Sequence, residues 1–222
     1  MSQEKWSAVD AYLCDSLIPQ DTVLSEALRD SDQAGLPQIN VAPNLGKFLH
    51  LLAQIQGARR ILEVGTLGGY STIWLARALP EDGRLITLEY SPEHAAVAKA
   101  NIARAGLSER VDIRVGLAVD SLAQIAQEGL APFDFIFIDA DKPSNPYYLD
   151  WSLKLARVGT IIVVDNVVRD GEVVDAHTTD EKIQGARAAV AFVASHPRLS
   201  ATAIQTVGSK GYDGFLLATV VA

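Results

Sequence analysis

The chain has 222 residues, long enough for one domain with an ordinary core, and its 49% apolar content is that of a globular protein. A net charge of −8 and a pI near 4.9 leave no overall basic footprint for a nucleic acid. The single cysteine, Cys14, excludes an internal disulfide and suits a reducing cytoplasm. No apolar leader opens the chain, and no apolar run reaches the roughly 18 residues that span a bilayer. The expectation is a cytoplasmic protein without a membrane partner.

Residues 1–56 read as a helical cap, in which Leu45, Phe48, Leu49, Leu52 and Ile55 form an apolar stripe. Within the cap, residues 30–43 hold Gly35, Pro37 and Pro43 and read as a loop over a sheet edge. Short β-rich runs then begin near Ile61, Leu85, Val111, Phe133 and Thr160, with helical patterns at 70–79, 93–105 and 120–128. That alternation is the mark of βαβ units and a parallel sheet. A last helix is expected over 181–195, with Ile183, Ala186, Val190 and Val193 on one face. Two further runs, 200–207 and 215–221, are joined by the glycine-rich stretch 208–214, which permits a hairpin and an antiparallel strand.

Residues 61–71, I-L-E-V-G-T-L-G-G-Y-S, describe a buried strand that breaks into a glycine turn and enters a helix. Glu89 ends the next apolar run. In doubly wound sheets such a turn, with an acid on the second strand, holds a nucleoside by its ribose hydroxyls. A dinucleotide fingerprint needs a second glycine where this chain has Leu67, and Glu63 would repel a diphosphate. A sulfonium nucleoside, S-adenosylmethionine, fits better than NAD.

Two more strands end in polar clusters: F-D-F-I-F-I-D-A-D-K over 133–142, and I-I-V-V-D-N over 161–166. In a parallel sheet both reach the carboxyl edge, where open α/β sheets bind ligands. Asp139, Asp165 and Asn166 offer oxygen donors alone, a set that favours Mg²⁺, with Mn²⁺ or Ca²⁺ as alternatives. Lys142 beside them is a candidate general base. The competing account treats these groups as solvated strand ends and Lys142 as a counter-charge. The four histidines are scattered without ligand spacing, and Trp74 reads as packing. Tyr147, Tyr148 and Trp151 read either as core or as a wall for a planar acceptor.

At these residues the chain resembles the cation-dependent O-methyltransferases, the caffeoyl-CoA and catechol O-methyltransferases and their bacterial relatives. The likeness runs from Ile39 to the end, through E-V-G-T-L-G-G-Y-S, Glu89, F-I-D-A-D-K and D-N-V-V-R-D-G-E-V. It implies a Rossmann-like doubly wound sheet of seven strands, the last antiparallel, forming one domain over residues 1–222. It implies that Asp139, Asp165 and Asn166 bind the cation, that Lys142 is the base and that Glu89 holds the ribose of S-adenosylmethionine. Val41, Glu63, Gly65, Thr66 and Ser71 would line the methionine end, with Asp139 close by, and Ala118 would meet the adenine. The implied acceptor is a small aromatic diol of catechol, caffeoyl or flavonoid type, and the implied assembly a homodimer.

Asn44 stands where many relatives carry Glu, and Val168-Arg169 replaces an aromatic residue of plant members. With the 208–214 turn, these departures bear on the acceptor. The rivals are a tRNA hydroxyuridine O-methyltransferase, an NAD-dependent oxidoreductase and a non-catalytic binding protein.

Overall fold

A computed structural model describes residues 2–222. Three helices form the cap: α1 (Gln3–Leu17), α2 (Thr22–Gln33) and α3 (Pro43–Gln56). The sheet follows with β1 (Arg60–Val64), β2 (Arg84–Glu89), β3 (Val111–Val115), β4 (Phe133–Ile138), β5 (Ala156–Asp165), β6 (Leu199–Gly208) and β7 (Gly211–Val220). Helices α4 (Tyr70–Ala76), α5 (Pro92–Arg104), α6 (Ala118–Gln127), α7 (Asn145–Leu155) and α8 (Glu181–Ser195) cover its faces.

The strand order is β3-β2-β1-β4-β5-β7-β6, parallel through β5. β7 runs antiparallel to both of its neighbours, as expected from the sequence. β4 is buried along its whole length and β1 over all but Arg60, because helices pack on both faces. The order reverses between β1 and β4, and that switch point opens the crevice in which doubly wound sheets take their ligands. Gly65 and Asp139 lie just past the two strand ends, with the Asp139 N–H donating to the Val64 carbonyl at 2.9 Å.

Several expectations shift. Helix α7 was not anticipated; its first turn is rich in Pro and Tyr, and it carries Tyr148 and Leu149 into the core. Residues 30–33 belong to α2, so the cap loop is shorter than expected. Ile55 is 82% exposed, whereas Leu49 is fully buried, so the apolar stripe ends one turn early. On α8 the buried face centres on Ala186, Ala189 and Val193, leaving Val190 exposed. The hairpin turn is only Ser209 and Lys210, and residues 211–214 extend β7. Gly214 serves close strand approach rather than turning, since a Cβ there would strike the Ile204 carbonyl oxygen.

Helix α1 ties the cap to this hairpin. The buried Asp10 carboxylate accepts from the Ser209 N–H at 2.7 Å and from the Asn44 side chain at 3.0 Å. Among the described residues no helix is long and apolar enough to cross a membrane.

Candidate active site

Two cavities open at the carboxyl edge and share a seam formed by Ile39, Asn40, Val41, Asn166 and Arg169. The larger, of about 850 Å³, is within the range of small-molecule sites. Val41, Gly65, Thr66, Ser71, Glu89, Ala118, Asp139 and Lys142 all line it. The smaller, of about 520 Å³, lies under the cap and the β6–β7 hairpin, lined by Asn44, Phe48, Asp165, Lys210 and Tyr212 among others.

The glycine turn is shaped by backbone demands. Gly65 has φ +101°, and a Cβ there would collide with the Asp139 carbonyl, so glycine lets β1 and β4 close together at the switch point. Leu67, at φ +50°, is a non-glycine residue in the left-handed region. Glu89 holds it there. Its Oε2 accepts from the N–H groups of Thr66 at 3.2 Å and Leu67 at 2.8 Å, and its Oε1 from Ser91 N–H at 2.9 Å. The acid that sequence reasoning assigns to a ribose thus also clamps the turn, with lone pairs left for a ligand. From outside, the fully buried Asn101 donates to the Gly68 carbonyl at 2.9 Å.

Glu63 does not line the cavity. It is fully buried behind the turn, accepting hydroxyl hydrogens from Ser71 at 2.7 Å, Thr72 at 2.5 Å and Thr87 at 2.7 Å. Burial pushes its carboxyl up to about 7 against the pull of those hydroxyls. Ser71, which does line the cavity, stands between Glu63 and any ligand. The sequence expectation of direct contact overlooked that a residue inside β1 points into the sheet's packing, not past its end.

At the seam, Lys142 is 7% exposed and donates to Asp139 Oδ1 at 3.0 Å. Its loop is the short 3-10 helix Lys142–Ser144, against which α8 packs through Gly185. A Cβ at 185 would strike the Lys142 carbonyl and the Pro143 nitrogen. Asp165 ends β5, 6% exposed. Its carboxyl is pushed up to about 7 by burial and then by the Asp139 charge, which the nearby Lys142 ammonium only partly offsets. Asn166, at φ +57°, turns the chain there and faces both cavities.

Among the described residues no three His, Cys, Asp or Glu side chains gather as a metal cluster. The candidate set here has two carboxylates and an amide. Its chemistry fits a hard divalent cation, because the two acids repel one another and such a charge would relieve that repulsion.

Sequence reasoning missed several neighbours. Gly185 could have been found, since an isolated glycine inside a helical pattern usually has a packing reason. His94 lines the larger cavity with Nδ1 3.5 Å from Glu89 Oε1, and nothing in its spacing signals this. Of the three aromatics after Lys142, only Tyr148 lines a cavity, and its hydroxyl donates to Asp141 at 2.5 Å. Burial, and then Asp141, keep that phenol protonated. Tyr147 and Trp151 lie against each other away from both cavities, 6.4 Å between ring centroids.

A doubly wound sheet with a glycine turn and an acid at its switch point, beside a second cavity that shares its seam, is the architecture of the nucleoside-binding α/β class. The chain belongs to the O-methyltransferase family, whose model matches residues 15–219. It is 54% identical to a catechol O-methyltransferase of Niastella koreensis over 99% of this chain and all of that protein. An O-methyltransferase from Bacillus cereus, solved in complex with SAH, is 59% identical, with a TM-score of 0.97 over 99% of this chain and all of that one. The O-methyltransferase TomG of Streptomyces achromogenes, involved in tomaymycin synthesis and solved with SAM, is 48% identical at a TM-score of 0.97, each chain covered in full.

Proposed function

We propose that this O-methyltransferase uses S-adenosylmethionine and a divalent cation to methylate one hydroxyl of a small vicinal-dihydroxy aromatic. The observation that carries the reading is the seam: Lys142 and Asp139 on the larger cavity meet Asp165 on the smaller across Asn166. The SAH and SAM bound to the two similar structures, and the catechol named for the Niastella relative, support it from outside.

The larger cavity would take the nucleoside. Glu89 would offer its remaining lone pairs to the ribose, Ala118 would pack by the base, and Val41, Gly65, Thr66 and Ser71 would surround the amino-acid end. S-adenosylmethionine, when bound, supplies an electrophilic methyl group. Asp139, Asp165 and Asn166 would hold the cation, which supplies a Lewis acid to lower the acceptor hydroxyl pKa. In its neutral amine form Lys142 Nζ would take the hydroxyl proton, restoring the ammonium that pairs with Asp139 Oδ1 3.0 Å away. The acceptor oxygen is left nucleophilic, and alignment across the seam supplies much of the acceleration.

Residues 1–222 work in this reading as one unit, with 1–56 as the acceptor-side cap, in a cytoplasm that suits the free thiol of Cys14. Two copies pair, and the exposed α1 stripe of Val9, Tyr12, Leu13 and Leu17 supports that.

The test is transfer of labelled methyl from S-adenosylmethionine to catechol and to phenol, with Mg²⁺ and with chelator. Transfer to catechol alone, abolished by chelator, is the expected result. Equal rates on catechol and phenol, or full activity in chelator, refute the chelating-diol reading. Transfer to tRNA with none to catechol hands the site to a nucleic-acid substrate.

A further inference from the structure

The seam contains a cation that the proposed chemistry leaves unused. Arg169 lines both cavities at φ +56°, followed by Asp170 at +55° and Gly171 at +87°. Two successive non-glycine residues in the left-handed region are strained, and such strain persists only where the surroundings enforce it. Here β7 does so: Asp213 Oδ1 accepts from the N–H groups of Val168 at 3.0 Å, Arg169 at 2.9 Å and Gly214 at 2.9 Å. The hairpin thus fixes Arg169 at the mouth between the cavities.

Its guanidinium is under-used. The Arg169 Nη1 lies 3.7 Å from Asp213 Oδ2, beyond hydrogen-bond length, and its Nε is buried without an acceptor. Other arginines of similar exposure are satisfied: Arg77 meets Asp21 at 2.6 Å and Arg114 meets Asp112 at 2.7 Å. Across the smaller cavity, Lys210 Nζ meets the Gln38 carbonyl at 3.0 Å and makes no ion pair among the described residues. Four acids line that cavity with these two cations: Asp10 is engaged by Asn44 and Ser209, Asp213 by three amides, Asp165 belongs to the proposed cation set, and Asp170 is exposed.

We infer that the acceptor is a dihydroxy aromatic acid whose carboxylate is read by Arg169, with Lys210 adding to the field. The guanidinium fork matches a carboxylate in geometry as well as charge. The inference rests on the diol reading above and narrows its substrate class.

The test compares kcat/KM for 3,4-dihydroxybenzoate and for caffeate against their methyl esters, with catechol as reference. Wild type should prefer the acid in at least one pair by roughly tenfold to a hundredfold, the worth of a charge-assisted hydrogen bond. Arg169→Gln should bring that ratio to near unity, while Arg169→Lys keeps part of it. Equilibrium dialysis of the acid against SAH-loaded protein should show the same loss, and the wild-type ratio needs no variant at all. Transfer to catechol and both esters with no preference for either acid overturns the carboxylate assignment and leaves the diol reading standing. Transfer to none of the diols brings down both.

Discussion

The two cavities are built in different ways. The larger is made mainly by strand ends and the turns that follow them, within 64–71, 88–94, 116–119 and 139–144, with cap residues 39–41, the loop after β5 and the start of α8 closing it. The smaller is assembled from the cap, the end of β5, its following loop and the β6–β7 hairpin, segments that meet only on folding. The proposed cofactor side is therefore shaped mainly by local backbone geometry, the proposed acceptor side by tertiary docking. Substitutions on the first should disturb nucleoside binding, and those on the second the choice and affinity of acceptor.

The sharpest separation should come at the seam. Lys142→Ala is expected to lower turnover by roughly 10²–10⁴, the usual range for a positioned acid or base, while SAH binding by calorimetry persists. A loss under about tenfold would make Lys142 only a buried counter-charge of Asp139, leaving the hydroxyl to be activated without a protein base.

Behind the cofactor side, Glu63 should give a pH signature. Its folded pKa of about 7 lies above the ordinary 4.5, so its contribution is fully present below about pH 4.5 and is lost as pH rises through 7. The full swing is roughly 3 kcal/mol, at about 1.4 kcal/mol per unit. Denaturant titrations of Glu63→Gln across that window should show a flatter pH dependence than wild type. Parallel curves would mean that Glu63 is ionised throughout.

Glu89→Ala removes the clamp on the turn and, with it, the proposed ribose partner. Cofactor affinity should fall by roughly 1–3 kcal/mol, with the acceptor KM little changed. Undiminished SAH binding by calorimetry would remove Glu89 from the cofactor site.

On the acceptor side, Asn44→Ala breaks the bond to Asp10 and loosens the cap on the hairpin. A smaller effect is expected, roughly 0.5–1.5 kcal/mol, seen in acceptor KM and not in SAH affinity. Equal losses on both sides would dissolve the distinction between the cavities.

The same distinction explains what could be read from the sequence. The strand–turn–acid pattern around Glu63 and Glu89 and the polar ends of β4 and β5 follow from local periodicity, and they located the seam. Glu63 itself lies deeper than its sequence position suggests, because alternation along a buried strand decides which way a side chain points and the hydroxyls of Ser71, Thr72 and Thr87 receive it. Gly185, Arg169 and Asp213 act through contacts between segments distant in sequence, for which no local pattern exists. The hairpin turn was overdrawn because glycines required for close strand approach look the same in sequence as glycines required for turning.

The most direct test is a pair of titrations on Asp165→Ala: SAH first, then catechol in the presence of Mg²⁺. Of the two cavities Asp165 borders the smaller, so on the proposed assignment SAH should bind within about twofold of wild type while catechol affinity drops by at least about tenfold, the loss of one proposed charged ligand to the cation. Catechol binding at the wild-type level, or a loss of SAH binding as large as that of catechol, would contradict the account.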